Sequence, residues 1–322
     1  MDSAVADPAV PLTELRWPGP APARLRGAAI AVGNFDGAHL GHRAVIEECR
    51  RHAATVGVVT FEPHPRQVFA PDAPPFRLTA WPAKARRLAS FGADFALVIG
   101  FDRAFASRSA ESFVDEVLVA HLGPAHVVVG ANFAFGNGRR GTPDLLRARL
   151  AGHGIGMTCM LPATGPDGQA YSSTRVRAAL VVGDPAGAAA LLGAPWEVEG
   201  RVGEGDRRGR LLGFPTANVP LGDHLRPRLG VYAVEAGIVD VPGAAPRWAK
   251  GVANIGNRPT VGGTEPRVEA HLFDFAEDIY GRTLRVRLIH FLRAERKFDG
   301  LDALKAQIAA DSAEARRLLA GR

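Results

Sequence analysis

The first half of the chain alternates short apolar, β-prone runs with helical segments. The second half replaces this rhythm with short alternating runs separated by glycine and proline. Strand candidates in the first half are Ala28–Val32, Val56–Phe61, Phe95–Phe101 and His126–Val129, and helices are predicted over Gly41–Ala54, Ala83–Phe91, Ser109–His121 and Pro143–His153. Apolar strands alternating with helices argue for a parallel sheet covered on both faces. Sheets of that kind bind ligands outside the carboxyl ends of their strands, near the point where strand order reverses. Thr174–Leu180 and the Ala-rich Pro185–Leu192 lead into the second half. There Glu197–Val202, Gly230–Ala236, Trp248–Ile255, Arg267–Phe273 and Thr283–Leu292 read as short strands of an antiparallel barrel. A last helix, Leu301 to Leu319, is apolar at Leu301, Leu304, Ile308 and Leu318. The pattern predicts an α/β domain over residues 1–185 and a small antiparallel β-barrel ending in a helix over residues 186–322. The Pro/Ala-rich opening carries no element in this reading.

Composition narrows the function classes. With 322 residues, 47% hydrophobic and 22% charged, the chain can build two ordinary cores without disulfides or a structural metal. Cys49 and Cys159 give no disulfide framework and suit a reducing compartment. No apolar run reaches membrane-span length, and the opening lacks the basic-then-apolar layout of a signal peptide. A cytoplasmic location is therefore expected, with no membrane partner. The net charge of +6 comes from dispersed, arginine-heavy positions, and only 7% of residues are aromatic. No basic stripe interleaved with stacking aromatics marks a nucleic-acid surface. Arginines that clamp small phosphorylated ligands explain the balance as well.

Chemistry concentrates in a few loops. Ala31 to His42 reads AVGNFDGAHLGH, a strand end, a turn with Gly33, Phe35 and Gly37, and then His39 and His42 at a helix start. Backbone N–H groups and the helix dipole can receive a phosphate there. An i, i+3 pair at that point faces one side, so both imidazoles can reach one oxyanion. Neither cysteine has metal-ligand spacing to this pair. The segment Thr60-Phe61-Glu62-Pro63-His64-Pro65 ends a strand with two prolines, and Gly130–Gly136 sets Asn132 beside Phe133 and Phe135. Two aromatic faces and an amide suit a planar heteroaromatic ligand, or simply a core. Ser173, Thr174 and Arg177 open a helix with hydroxyls and a cation, which serve equally as caps or as a polyphosphate clamp. In the second half, Gly205 to Asn218 is rich in glycine and arginine, including Gly209, Arg210, Gly213, Phe214 and Pro215. Thr216 and Asn218 offer hard oxygen ligands suited to Mg²⁺. Glu269, in an alternating run, points inward as a general base or outward as an ordinary strand glutamate.

These residues resemble the bifunctional bacterial riboflavin kinase / FAD synthetase family along nearly the whole chain. The carriers are the HxGH signature at His39–His42, GFPTAN at Gly213–Asn218, GVANIGNRPT at Gly251–Thr260, VEAHLFDF at Val268–Phe275 and RAERKF at Arg293–Phe298. The resemblance implies a Rossmann-like nucleotidyltransferase module followed by a riboflavin kinase barrel. In the first module it implies that His39 and His42, with Gly33, Phe35, Gly37, Ser173, Thr174 and Arg177, bind ATP. Thr60, Pro63, His64 and Asn132 would face the flavin. In the second it implies Mg²⁺ with ATP on Thr216 and Asn218, and Glu269 as base for the riboflavin 5′-hydroxyl. Gly209, Arg210, Gly213, Phe214, Pro215 and Arg293 would line the ATP and flavin sites. Riboflavin and FMN would be substrates and FAD the product. Glu204 and Ala170 depart from the family pattern, Glu204 where a histidine is often found and Ala170 where some relatives carry an arginine.

Overall fold

A computed structural model describes residues 12–203, 214–241, 243–260 and 263–322, with side chains left out at 257–260 and 263–265. Glu204, Gly209, Arg210 and Gly213 lie outside the described residues. By internal contacts the chain forms two compact units. One joins Met1–Ala73 to Ala80–Ser172, and the other joins Pro74–Thr79 to Ser173–Arg322.

The first unit is a six-stranded parallel sheet built from β1 (Thr13–Trp17), β2 (Ala29–Val32), β3 (Val56–Glu62), β4 (Phe95–Gly100), β5 (His126–Gly130) and β6 (Gly156–Met160). The strand order is β1-β4-β3-β2-β5-β6. The chain winds outward from β2 through β3 to β4, then returns to the other side of β2 with β5 and β6. The reversal lies between β2 and β5, which is where such a sheet opens its ligand crevice. Side chains alternate across the sheet with period two. Ile30, Val32, Val59, Phe61, Leu97, Ile99, Val127 and Val129 face one core, with Phe105 of α4 (Arg103–Ala106) and Ala110 of α5 (Ala110–Ser112), under the π-helical Phe113–Leu122 and α6 (Pro143–Ala151). Ala29, Ala31, Val56, Val58, Ala96, Val98 and Val128 face the other, with Ile46 and Cys49 of α1 (Leu40–Arg50) and Leu88 of α3 (Ala83–Ser90). Each large side chain so withdrawn from water contributes roughly 1.5–3 kcal/mol. Gly57 in mid-β3 is required by its partner Phe95, because a Cβ there would sit 2.1 Å from the ring.

The opening supplies more than the sequence pattern suggested. Thr13-Glu14-Leu15-Arg16-Trp17 alternates half-buried and exposed residues and pairs in parallel with β4 at the sheet edge. A five-residue strand followed by Pro18 is too short and too interrupted for its alternation to stand out. Edge strands tolerate that composition.

The second unit holds α7 (Ser173–Val182), α8 (Pro185–Leu192) and six antiparallel strands. These are β7 (Glu197–Arg201), β8 (Ala217–Pro220), β9 (Gly230–Val239), β10 (Arg247–Thr260), β11 (Gly263–Leu272) and β12 (Thr283–Arg293). The order is β7-β12-β9-β10-β11-β8. The two outer strands meet again where the Gly203 N–H donates to the Asn218 carbonyl at 2.9 Å, which nearly closes the sheet into the expected barrel. The final helix, α9 (Leu301–Leu319), lays Ala315 and Leu319 on Val231, Ala233, Val252, Phe273 and Ile289.

Candidate active sites

The loop after β2 is held in an uncommon conformation. Phe35 and Ala38 both have positive φ, 51° and 42°, which side chains rarely adopt without support. The support is visible. Phe35, Asp36 and Ala38 are buried. The Asn34 carbonyl accepts from Thr60 Oγ1 at 3.2 Å and Lys84 Nζ at 3.0 Å, and the Ala38 carbonyl accepts from Arg87 Nη2 at 3.1 Å. Gly33 donates to Val59 of β3 at 3.1 Å, which sets where the loop leaves the sheet.

This loop delivers His39 as the N-cap of α1 and His42 in its first turn. Their rings stack 3.7 Å apart at 20°, so the motif does place both imidazoles together. The His39 backbone N–H donates to His42 Nδ1 at 3.3 Å. A ring that accepts at Nδ1 carries its proton on Nε2, as a neutral donor. The electrostatics agree. Burial, then the neighbouring His39 and Lys84, hold His42 well below the usual imidazole range. Gly41 between the two is set by close approach, since a Cβ would come within 3.0 Å of the His39 ring and 3.2 Å of Tyr171 Cβ.

The other expected residues of this unit surround the same rim. Thr60 is fully buried, its hydroxyl committed to the loop from beneath. Pro63 is exposed, and His64 caps the short helix α2 (Pro65–Phe69), its Nδ1 accepting from the Arg66 N–H at 3.1 Å. Asn132 is exposed on the loop after β5, beside the crevice. Phe133 and Phe135 stack at 5.2 Å, and the aromatic contacts continue through Phe113, Phe61 and Phe101 to Phe69, which is 61% exposed. Ser173, Thr174 and Arg177 lie on α7 in the second unit. There Arg177 Nε donates to the Phe76 carbonyl at 2.8 Å, and its guanidinium lies over the Phe76 ring. Lys84 and Arg87 were missed by the motif reading. The available signal was a lysine one turn before Leu88 on the buried side of an amphipathic helix.

The second site is made by register. Glu269 on β11 stands opposite Asn218 on β8 and Asn254 on β10, so three polar side chains line up across adjacent strands. Thr216, directly before β8, joins Glu269 and Asn254 in lining a cavity of about 370 Å³. Phe214 and Arg293 also line it. Pro215 positions the turn, its carbonyl accepting from His271 Nδ1–H at 2.9 Å. Asn218 is buried behind Thr216, whose carbonyl lies 3.5 Å from its Nδ2. Arg293 makes a bidentate pair with the buried Asp311 of α9, Nη2 to Oδ2 at 2.7 Å and Nε to Oδ1 at 3.0 Å. That pair fastens the helix that closes the cavity. Asn254, His271 and Asp311 were not singled out from sequence. A hydroxyl, an amide and a carboxylate give an all-oxygen donor set, which fits a hard cation that keeps most of its own water. Among the described residues no cluster of three or more His, Cys, Asp or Glu forms a metal cage.

Comparisons with known proteins follow the same division. The family model described as FAD synthetase matches residues 21–175, and the one described as riboflavin kinase matches residues 192–319. A bifunctional riboflavin kinase/FMN adenylyltransferase of Escherichia coli K12 is 45% identical over 295 residues, covering 90% of this chain and 92% of that protein. Proteins of the same description from Pseudomonas fluorescens and Bacillus subtilis are 44% and 38% identical, covering 92% and 90% of this chain and 94% and 92% of their own lengths. A crystal structure described as a macrolide-efflux protein from Streptococcus pneumoniae superposes with a TM-score of 0.81 at 28% identity, covering 95% of this chain and 99% of that one. Among the described residues of this chain no helix is long and apolar enough to cross a membrane.

Proposed function

The chain belongs to the bifunctional riboflavin kinase/FMN adenylyltransferase family, and from that premise we propose how its own residues divide the work. It is an enzyme that makes FMN from riboflavin and FAD from FMN, with the two modules in the family's order. We place the functional division at 185/186, with ATP as donor to both reactions.

In adenylyl transfer, an FMN phosphate oxygen bonds to the α-phosphorus of ATP as the bond to the bridging oxygen breaks and pyrophosphate leaves. Negative charge builds on the phosphate oxygens. His42, neutral and donating from Nε2, and His39 beside it meet those oxygens at the start of α1, where the helix N-terminus also favours anions. Gly33, Phe35 and Gly37 shape the loop around the nucleotide. Ser173, Thr174 and Arg177 keep the ATP role implied by the resemblance. The flavin packs against the rim of Phe61, Phe101 and Phe133, with Pro63, His64 and Asn132 at its polar edge and Thr60 acting through the Asn34 carbonyl.

In the barrel, Glu269 takes the proton of the riboflavin 5′-hydroxyl as that oxygen attacks the γ-phosphorus and ADP leaves. Thr216 and Asn218 would hold Mg²⁺, which supplies charge neutralisation on the phosphates when bound. Arg293 fixes the cavity wall through Asp311. Gly209, Arg210 and Gly213 keep the phosphate-loop role that the resemblance implies. Neither reaction needs a covalent intermediate, so positioning and charge neutralisation carry the rate.

The reading rests most on each unit having its own chemistry, a stacked imidazole pair in one and a strand carboxylate inside a cavity in the other. Incubation with riboflavin, ATP and Mg²⁺, followed by chromatography of the flavins, tests it. Wild type is expected to yield FAD, and His42→Ala to stop at FMN. Loss of both products in a folded His42→Ala variant overturns the division.

A further inference from the structure

Lys84 has only 1% of its side chain exposed. Its Nζ lies 2.6 Å from Glu62 Oε1 and 3.0 Å from the Asn34 carbonyl. A buried ion pair is a poor device for stability alone, because apolar residues of similar volume serve as well or better. Here the pair connects three elements: α3, the end of β3 just before Pro63 and His64, and the loop after β2. One turn along α3, Arg87 grips the Ala38 carbonyl. The two cations therefore hold the backbone at both ends of the strained Phe35–Gly37 turn, immediately before the imidazole pair. Lysine and arginine at i, i+3 share a helix face, so one helix controls the loop's whole span.

We infer that Lys84 and Arg87 are positioning residues for adenylyl transfer, acting from α3 on the loop that presents His39 and His42. The inference rests on the role proposed above for that pair. It has an electrostatic side as well. The charged groups on the elements that meet at this turn are Asp36 in the loop, Glu62 on β3, Lys84, Arg86 and Arg87 on α3, and Arg43, Glu47, Glu48 and Arg50 on α1. His39 and Lys84 are the ones whose charge acts on His42, both disfavouring its imidazolium. Protonation of His42 at Nδ1 would set that proton against the His39 backbone N–H and open the capped turn. Lys84 thus keeps His42 in the form that preserves the geometry.

The test compares Lys84→Met, the charge-neutral double variant Lys84→Met/Glu62→Gln, and Arg87→Met with wild type. The double variant avoids stranding the Glu62 carboxylate, so it keeps the question open if the single variant fails to fold. FMN formation from riboflavin in the same preparation reports that the chain is folded, and is expected to stay at the wild-type rate. FAD formation from FMN and ATP is expected to fall about 10²-fold, mainly in kcat, as displaced reacting groups do. NMR of the His42 ring in ¹³C-histidine protein is expected to show its titration moving up when the Lys84 charge is removed. The acid limb of the FAD-forming rate should move up with it. Wild-type FAD formation in the folded double variant overturns the inference. So does a lost rate with the His42 titration unmoved, which would leave Lys84 only a structural part. Failure of the underlying reading appears separately, as full FAD formation by His42→Ala.

Discussion

The two candidate sites, each proposed to seat charged phosphates beside a flavin, are built in opposite ways. In the first unit the proposed reacting groups stand on a loop beyond the strand ends, and its strained backbone is held by Lys84, Thr60 and Arg87 from neighbouring elements. In the second unit the proposed reacting groups stand on the strands themselves, where strand register aligns Asn218, Glu269 and Asn254. A loop site can bring backbone N–H groups up to an anion, but it needs clamps. A strand site needs no clamps, since shifting a strand by one residue would turn its whole face outward. Substitutions should therefore fail differently in the two places. On the strands, removing the chemical group should matter. In the loop, displacing it should matter nearly as much.

Glu269→Gln gives the largest expected effect. It keeps the shape of the β11 side chain and removes the base, so riboflavin phosphorylation should slow by about 10²–10⁴-fold with little change in riboflavin binding. FAD formation from supplied FMN should be unchanged. Unaltered kcat for FMN formation would remove Glu269 from the chemistry. Asp311→Ala tests the cavity wall instead of the reacting group. It strands Arg293, costs about 2–4 kcal/mol of stability in denaturant titration, and raises the KM for riboflavin more than it lowers kcat. Gly41→Ala is the loop counterpart. Its Cβ forces the His39 ring by a few tenths of an ångström, so FAD formation should fall about tenfold while every proposed reacting group is still present. Equal rates for Gly41→Ala and wild type would mean that the loop site is not limited by geometry, and the contrast between the sites would fail.

The same contrast explains what could be read from the residues alone. The imidazole pair was legible because its geometry is local, a strand end and a helix start within twelve residues of chain. The alternating strand around Glu269 was legible too, and so were four strands of the first sheet and five of the second, because their periods are carried by consecutive positions, whereas the short β6 and β8 were not read as strands. Lys84 and Arg87 were not, since they touch the loop from a different helix, and a lysine in a helical pattern ordinarily means solvent. Nor was the row of Asn218, Glu269 and Asn254, because register between strands distant in sequence is fixed by pairing that no single segment displays. β1 was hidden by its flanking prolines and its edge position. Local chemistry was readable, while the groups that hold it in place belong to the tertiary fold.

The first unit also contains its own internal control for the loop site. His52 and His126 stack 3.5 Å apart at 3°, much like His39 and His42, but they lie at the opposite ends of the strands, where His126 begins β5. His126 Nε2 lies 2.8 Å from Thr158 Oγ1, and His52 Nε2 lies 3.1 Å from Glu48 Oε1. Stacked imidazoles away from the strand carboxyl ends should affect stability rather than turnover. Burial first, and then His52, hold the His126 ring below its ordinary value, with Glu48 opposing. The folded state therefore releases the proton more readily than the unfolded chain does. Below about pH 6.5 the unfolded state binds more protons, so this contribution is complete above that pH. It declines as the pH falls toward the lower folded-state value. His126→Gln should flatten that decline in thermal melts taken between pH 8 and pH 5, the smallest effect expected here, and should leave FMN and FAD formation at pH 8 unchanged. Unchanged acid sensitivity of the melt would show that the pair is electrostatically silent, while lost FAD formation at pH 8 would show that position along the strands does not separate structure from chemistry.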